Sequence, residues 1–353
     1  MSISNLNTVA LSRIRSFLHQ KVHIRSWEQF AKICTALSDD HRRWVFRGQE
    51  DSKWPLSTTF EREANRYNHN ARAWNNLERT LLHEFIKGGY RYVQNAPGYS
   101  STLQWLAMMQ HFGAPTRLLD FTKSPYIAAF FALSGQVGSH FTIWAINRQE
   151  LERVLSNIVS PPPGFESSWK GYQYTSPSAE AICNKLIDNT DPAGEPLILP
   201  IEPTLLNERI AVQQGLFLMQ DSLHQSFESR LSAFLDKLAE RKIGVADQRF
   251  SIIQRSIDDR SYKGFKNVYD AIWRNSDLDR FIVASAAILI EIIVKNKQRS
   301  EFMNNLDHMN INMHSLFPGL DGYAKHMKRF VEKWSSDENQ TIAHFRTFFG
   351  TRR

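Results

Sequence analysis

The stretch QHFGAPTRLLDFTKSPYIAAFFAL, residues 110–133, predicts three secondary-structure elements in close succession. Its first residues end a helix, because a glycine and a proline follow them. Thr116–Phe121 then forms a short strand rich in apolar residues. Ser124 and Pro125 start a second helix, since a capping hydroxyl followed by proline is typical of a helix N-terminus. This helix, Tyr126–Leu133, has no polar face, so we expect it to be buried.

Helices and strands alternate on both sides of this stretch. Capping-box spacing marks two helix starts, with Ser26 and Gln29 before one and Ser101 and Gln104 before the other. Strands occur singly or in pairs between helices, which predicts an α+β fold rather than a doubly wound parallel sheet. The predicted elements include helices at Trp27–Leu37 and Ala73–Lys87 and strands at Arg42–Arg47, His140–Ile146, Leu197–Pro200 and Leu216–Met219.

The distribution of these elements suggests three regions in the 353-residue chain. Residues 1–40 are expected to form N-terminal helices packed on the core. Residues 41–221 contain most of the strand signals and form the core itself. Residues 222–353 form a mostly helical C-terminal region packed on the same core, with Ile292–Val294 a candidate for a late strand.

The composition is that of a globular chain with a sizeable core, since 42% of its residues are hydrophobic and 22% are charged. Its two cysteines, Cys34 and Cys183, have no zinc-motif spacing and are too few for a disulfide framework, so we expect no metal.

The net charge of +7 slightly favours anionic partners such as nucleotides or nucleic acids. The longest apolar run, Phe281–Val294, is interrupted by Glu291 and is too short to span a bilayer. We therefore expect a cytoplasmic protein without membrane association.

Three polar segments interrupt apolar surroundings, and the first is Phe46-Arg47-Gly48-Gln49. Arg47 faces the opposite side of its strand from Phe46, and a guanidinium there could hold a phosphate or carboxylate at two points. Gly48 would let a ligand approach the backbone. A structural salt bridge from Arg47 to Glu50 or Asp51 explains the residues equally well.

The second polar segment lies between Gln110 and Pro125. The start of the following helix offers free backbone N–H groups and a positive dipole end, which suit a phosphate. Each residue alone also has a structural explanation, such as pairing of Asp120 with Arg117. The candidate binding residues are His111, Thr116, Arg117, Asp120, Thr122 and Ser124.

The third segment, Glu208 to Phe217, places Gln213 and Gln214 immediately before a glycine and a strand. Such a glutamine pair could line the floor of a pocket, although a solvated helix end is at least as good an interpretation. Because all three segments flank apolar elements that must be buried together, we expect a common cleft. Its predicted members are Arg47, His111, Thr116, Asp120, Thr122 and Gln213.

Four longer motifs occur in order between Trp44 and Lys328. They read WVFRGQEDSKWPL, QHFGAPTRLLDFTKSPYIAAFFA, RIAVQQGLF and LFPGLDGYAKHMK. On these motifs the chain resembles the FRG-domain family of bacterial proteins, named for the Phe46-Arg47-Gly48 sequence. The resemblance implies that residues 41–221 form an FRG core, but it names no reaction.

A weaker resemblance, to the ADP-ribosyltransferase fold, implies a small mixed or antiparallel sheet surrounded by helices. Enzymes of that fold hold NAD with an arginine or histidine on an early strand, which Arg47 matches. A later strand in that fold carries a catalytic glutamate, where this chain has Gln213, with Glu208 upstream. The resemblance therefore implies NAD as cofactor and catalytic roles for Arg47, Asp120, Glu208 and Gln213, with Gly48 and the second segment binding the cofactor.

Two function classes follow from these features. The first is an NAD-dependent ADP-ribosyltransferase-like enzyme with a protein or nucleic-acid acceptor, acting in bacterial defence or as a toxin component. The second is a non-catalytic module that binds a nucleotide or nucleic acid. Basic residues near aromatic ones, such as Arg62 near Trp54, suit the second class but are more typical of a solvated surface.

Overall fold

The computed structural model describes residues 15–16, 18–37, 44–94, 96–135, 140–158, 178–188, 194–203, 208–240 and 287–334. Much of the predicted N-terminal helix lies outside these ranges. In the described part of the chain, a single sheet and the helices on its two faces form an α+β fold, as the alternation of elements predicts.

The sheet has seven strands in the order β1-β7-β4-β2-β3-β6-β5. It is mixed, because β1 and β7 run parallel whereas every other neighbouring pair is antiparallel. The strands are β1 (His19–Ile24), β2 (Trp44–Gln49), β3 (Leu118–Thr122), β4 (His140–Asn147), β5 (Ile198–Ile201), β6 (Gly215–Gln220) and β7 (Leu289–Lys295).

The helices connect these strands and cover both faces of the sheet. They are α1 (Trp27–Leu37), α2 (Thr59–Arg66), α3 (Trp74–Gly89), α4 (Thr102–His111), α5 (Pro125–Ala132), α6 (Arg148–Ile158), α7 (Ser178–Asp188), α8 (Glu208–Val212), α9 (Arg299–His308), α10 (Met313–Leu316) and α11 (Leu320–Trp334). Residues 227–240 are also helical. No helix in the described ranges is long and apolar enough to cross a membrane.

Two groups of helices share one face of the sheet. Helices α1, α5 and α9 bury an apolar cluster against β1, β7, β4 and β2. Helices α3, α4 and α7 bury a second cluster against β3, β6 and β5. On the opposite face, α6 and residues 227–240 cover a third cluster. The boundary between the first two groups therefore falls at β2 and β3, the strands that carry the FRG sequence and Asp120.

Helix α5 is as buried as its composition predicts. Ile127, Ala128, Ala129 and Phe130 are each at most 4% exposed. Ser124 caps it, with its Oγ accepting a hydrogen bond from the backbone N–H of Ile127 at 3.3 Å. Small residues on this helix allow its backbone to lie close to β2.

The two predicted capping boxes differ in outcome. Ser26 Oγ accepts from the N–H of Gln29, but Gln29 Oε1 accepts from the N–H of the residue before Ser26, so the box is shifted by one position. The prediction of a capping box at Ser101 is wrong, because the Ser101 side chain makes no capping hydrogen bond. A carboxylate from α7 takes that role, since Glu180 Oε1 accepts from Leu103 N–H at 2.9 Å.

Strands from all three predicted regions form the one sheet. Residues 1–40 were expected to be helical, but His19–Ile24 is strand β1, which pairs in parallel register with β7. The reason is burial, since Val22 and Ile24 each become 1% exposed in that register. Strand β7 extends the predicted late strand and lies between β1 and β4, well inside the sheet.

Candidate functional site

A cleft of about 850 Å³ opens where β2 and β3 separate. These neighbouring strands share one residue pair, Phe46 with Thr122, whereas β2 pairs along its whole length with β4. Side chains from α4 and α5, which belong to different helix groups, complete the walls. Five of the six residues predicted to converge line this cleft, namely Arg47, His111, Asp120, Thr122 and Gln213.

Arg47 reaches across the gap between the two strands. Its Nη1 donates a hydrogen bond to the backbone carbonyl of Asp120 at 2.8 Å. Its Nε is buried and has no hydrogen-bond partner among the described residues. The alternative of a salt bridge with Glu50 or Asp51 is wrong for the described structure, where Arg47 makes only the bond to Asp120. The guanidinium thus keeps donors for a further acceptor.

The surroundings of Arg47 favour an anion in the cleft. Burial lowers the pKa of Arg47, the positive charge of Arg62 lowers it further, and the negative charge of Asp120 partly offsets both. An arginine keeps its charge in proteins, so the cost of burying that charge remains until an anion approaches. Arg62 and Arg209 also line the cleft, which makes it rich in positive charge.

Asp120 is held by a short chain of hydrogen bonds. Gln110 Nε2 donates to Asp120 Oδ2 at 2.7 Å, and Thr116 Oγ1 donates to Gln110 Oε1 at 2.6 Å. Because Thr116 fixes which end of the amide is the acceptor, the NH2 group of Gln110 faces the carboxylate. Thr116 is itself fully buried and contributes to the cleft through Gln110 alone.

His111 lines the cleft on the wall formed by α4, within reach of the charge of Arg209. Burial, and then the charge of Arg209, lower the pKa of His111 below its ordinary value. The imidazole is therefore neutral at neutral pH and can accept a proton or a hydrogen bond.

Thr122 and Ser124 hold backbone rather than offering groups to a ligand. Thr122 Oγ1 donates to the carbonyl of Gln213 at 2.8 Å and accepts from the N–H of Ser124 at 3.1 Å. Ser124 caps α5 and lies outside the lining of the cleft. These two hydroxyls, predicted to bind a cofactor, instead join β3 to α5 and to the segment before β6.

Arg117 was predicted as a cofactor-binding residue or as a partner of Asp120, and the structure places it in neither position. Its guanidinium is 1% exposed and forms an ion pair with the fully buried Glu78 of α3. Arg117 Nε lies 2.7 Å from Glu78 Oε2. Arg117 lies just before the first residue of β3, and its side chain turns towards α3 instead of entering the cleft.

Gln213 and Glu208 differ in their relation to the cleft. Gln213 lines it, but its Nε2 donates to the carbonyl of Leu316 at 3.0 Å, so the amide ties the segment before β6 to α10. Glu208 is exposed at the start of α8 and does not line the cleft. The carboxylates in the lining are those of Glu50 and Asp120.

Gly48 has a packing role that differs from the prediction of ligand access. A Cβ at this position would collide with the carbonyl oxygen of Ala128 and lie 2.5 Å from the backbone nitrogen of Ala132. The absent side chain therefore allows α5 to pack directly on β2. Gly48 still borders the cleft, but its immediate neighbour is protein backbone.

Three contributors were missed or underweighted in the sequence. Gln110 begins the second polar segment and is the penultimate residue of α4, but the sequence does not indicate its bond to Asp120. The sequence predicts a nucleic-acid surface or a solvated face for Arg62, and a pocket floor or a solvated helix end for the segment that contains Arg209. Helical periodicity does not reveal them, because the cleft that they line forms only when α2 and α8 approach the sheet.

In the described ranges no group of three or more His, Cys, Asp or Glu side chains is placed to hold a metal ion.

Comparison with protein families finds that residues 42–139 match the FRG domain. This match supports the resemblance over the segment from β2 to the end of α5. No curated protein and no solved structure matches the chain.

Proposed function

We propose that the cleft around Arg47 binds NAD and transfers its ADP-ribose group, which makes the protein an ADP-ribosyltransferase-like enzyme. The observation that carries the proposal is the presence, in one cleft, of a positioned carboxylate and of an arginine whose buried Nε has no hydrogen-bond partner among the described residues. On this proposal the acceptor is a protein or a nucleic acid, and the protein serves in bacterial defence.

The charges of the cleft support phosphate binding. Arg47, Arg62 and Arg209 line it, against the two carboxylates of Glu50 and Asp120. A guanidinium binds phosphate oxygens at two points, and its strength increases in a site shielded from water. Arg47, whose Nε is buried and unpartnered among the described residues, holds the pyrophosphate.

Asp120 supplies the charge that bond cleavage requires. As the C1′–N bond of the nicotinamide ribose breaks, nicotinamide leaves with the bonding electron pair and the ribose becomes oxocarbenium-like. A carboxylate near the ribose stabilises that positive charge. The acceptor then forms the new bond to C1′ and releases a proton, which the neutral imidazole of His111 accepts.

The test measures NAD binding by calorimetry and nicotinamide release by chromatography. Arg47→Ala removes a charge-assisted contact, so affinity for NAD falls about tenfold or more. Arg47→Lys restores little of the lost affinity, because an ammonium group cannot donate two parallel hydrogen bonds in one plane as a guanidinium does. Asp120→Asn keeps an acceptor for Gln110 and preserves NAD binding, but nicotinamide release is lost.

Arg66→Ala is the matched control, since Arg66 lies on α2, is exposed and does not line the cleft. It should leave both binding and release unchanged, and the melting temperatures of all variants report whether the fold persists. Absence of NAD binding by the unmodified protein at millimolar concentration would refute the proposal.

A second candidate is a module that binds the nucleotide without turning it over. The position of Glu208, exposed and outside the cleft, favours it, because the segment before β6 contributes no carboxylate to the cleft, where the transferase resemblance expects one. This candidate is correct if the protein binds NAD and releases no nicotinamide. The binding should then depend on Arg47 and be unchanged by Asp120→Asn.

A further inference from the structure

A smaller pocket of about 380 Å³ adjoins the Arg47 cleft. The two share part of their lining, since Ala107, His111 and Ile210 border both. The two spaces are therefore next to each other, as two subsites for one elongated ligand would be.

Two exposed aromatic side chains line this pocket. Phe112, at the end of α4, is 68% exposed, and Tyr92, which follows α3, is 86% exposed. Large aromatic groups that remain this accessible are available to stack on a flat ring, as they do in proteins that bind nucleobases. The ring of Phe112 meets that of His111 edge to face, with centroids 4.9 Å apart.

The polar groups of the pocket are uncharged. Among the described residues that line it, none is Asp, Glu, Lys or Arg, whereas Gln94 and Gln104 contribute amides. An amide side chain can both donate to and accept from the edge of a nucleobase. A nucleic-acid strand would need cations along its phosphates, but the arginines of this region line the adjoining cleft instead.

We infer that this pocket is the adenine subsite of the dinucleotide, with the base stacked on Phe112 and Tyr92 and the pyrophosphate on the arginines of the cleft. The inference rests on the proposed binding of NAD. The orientation follows from Asp120, which lines the cleft and not the pocket. The nicotinamide ribose, whose bond is cleaved, belongs beside that carboxylate, so the other end of the ligand reaches the pocket.

The test compares two fragments of NAD, one with the adenine and one without it. ADP-ribose contains the adenine and cannot release nicotinamide, whereas nicotinamide mononucleotide lacks the adenine. Phe112→Ala and Tyr92→Ala should each weaken ADP-ribose binding about tenfold in calorimetry, the usual effect of losing one stacking partner. Binding of nicotinamide mononucleotide should be unchanged.

Tyr67→Ala is the matched control, because Tyr67 is 68% exposed and lines neither space. Both pocket variants are expected to fold, since they remove exposed side chains. If neither variant changes the affinity for ADP-ribose, the inference is wrong and the proposed function remains intact. The same holds if the variants weaken binding of nicotinamide mononucleotide as much as that of ADP-ribose. Phe112-dependent binding of ADP-ribose without nicotinamide release from NAD would support the subsite and reject the transferase. If ADP-ribose does not bind at millimolar concentration, the inference fails.

Discussion

His19, the first residue of β1, lies against the aromatic ring of Trp144, with ring centroids 6.2 Å apart. Burial, and then the positive charges of Arg15 and Lys21, lower the pKa of His19 from 6.5 to about 4. The carboxylate of Glu291 is near, but its Oε2 is 3.9 Å from Nε2 and Lys21 approaches it more closely, at 2.7 Å. The folded protein therefore keeps His19 neutral.

This neutral His19 predicts a pH dependence of stability. Below pH 6.5 the unfolded chain binds a proton at this imidazole that the folded chain does not, so the free energy of unfolding decreases as the pH falls. The loss continues down to about pH 4 and amounts to about 2–3 kcal/mol. Replacing His19 by Gln removes this component.

Urea unfolding of both proteins between pH 7 and pH 4 checks the prediction. The His19→Gln variant should show the shallower decline, and the two curves should run parallel below pH 4. Identical slopes for the two proteins throughout this range would contradict it.

At the scale of elements, the contact between α5 and β2 depends on the absence of a side chain at Gly48. An added Cβ meets the backbone atoms of Ala128 and Ala132, which cannot rotate away as a flexible side chain can. Gly48→Ala should therefore destabilise the protein by about 1–3 kcal/mol, the usual cost of overpacking. The displaced helix would also alter the wall of the cleft beside Arg47.

Gly88→Ala is the matched control for Gly48→Ala. Gly88 lies in α3, and a Cβ there would have no atom within 4 Å. Alanine is the better helix former, so this variant should be stabilised by about 0.5–1 kcal/mol. Chemical unfolding of both variants tests the pair, and equal stability of the two would show that α5 tolerates displacement.

At the scale of the whole molecule, the segment that matches the FRG domain is not a complete sheet. Residues 42–139 include β2 and β3, which share a single residue pair. The strands that complete their hydrogen bonding, β4 and β6, lie beyond residue 139. Unpaired backbone groups and uncovered apolar faces are costly, so the segment depends on the rest of the chain.

Residues 42–139 expressed alone should therefore lack a cooperative fold. Circular dichroism is expected to show no sharp thermal transition, and amide hydrogens of β2 and β3 should exchange rapidly, whereas the full chain protects them. A cooperative melt of the isolated segment, with protected amides in β2, would refute the prediction.

Local patterns in the sequence predicted the elements that depend on neighbouring residues. The helix at Trp27–Leu37 matches its predicted bounds, and α5 begins at the serine–proline pair, because caps and apolar periodicity act within a few residues. The sequence did not predict strand β1, because its polar residues obscure the alternation of apolar and polar side chains. Its stability comes from pairing with β7. By the bounds of the two strands, β7 lies 265 to 276 positions away in the chain.

The sequence by itself determined that this chain forms an α+β fold, with a buried helix after Ser124 and three polar segments between apolar elements. Tertiary structure alone decided which of those groups face a common space. It placed Arg117 against the buried Glu78, tied Gln213 to a carbonyl of α10, and brought Gln110 to Asp120. The physical reason is that an isolated motif specifies its backbone, whereas the partner of a charged or amide group depends on which distant elements pack against it.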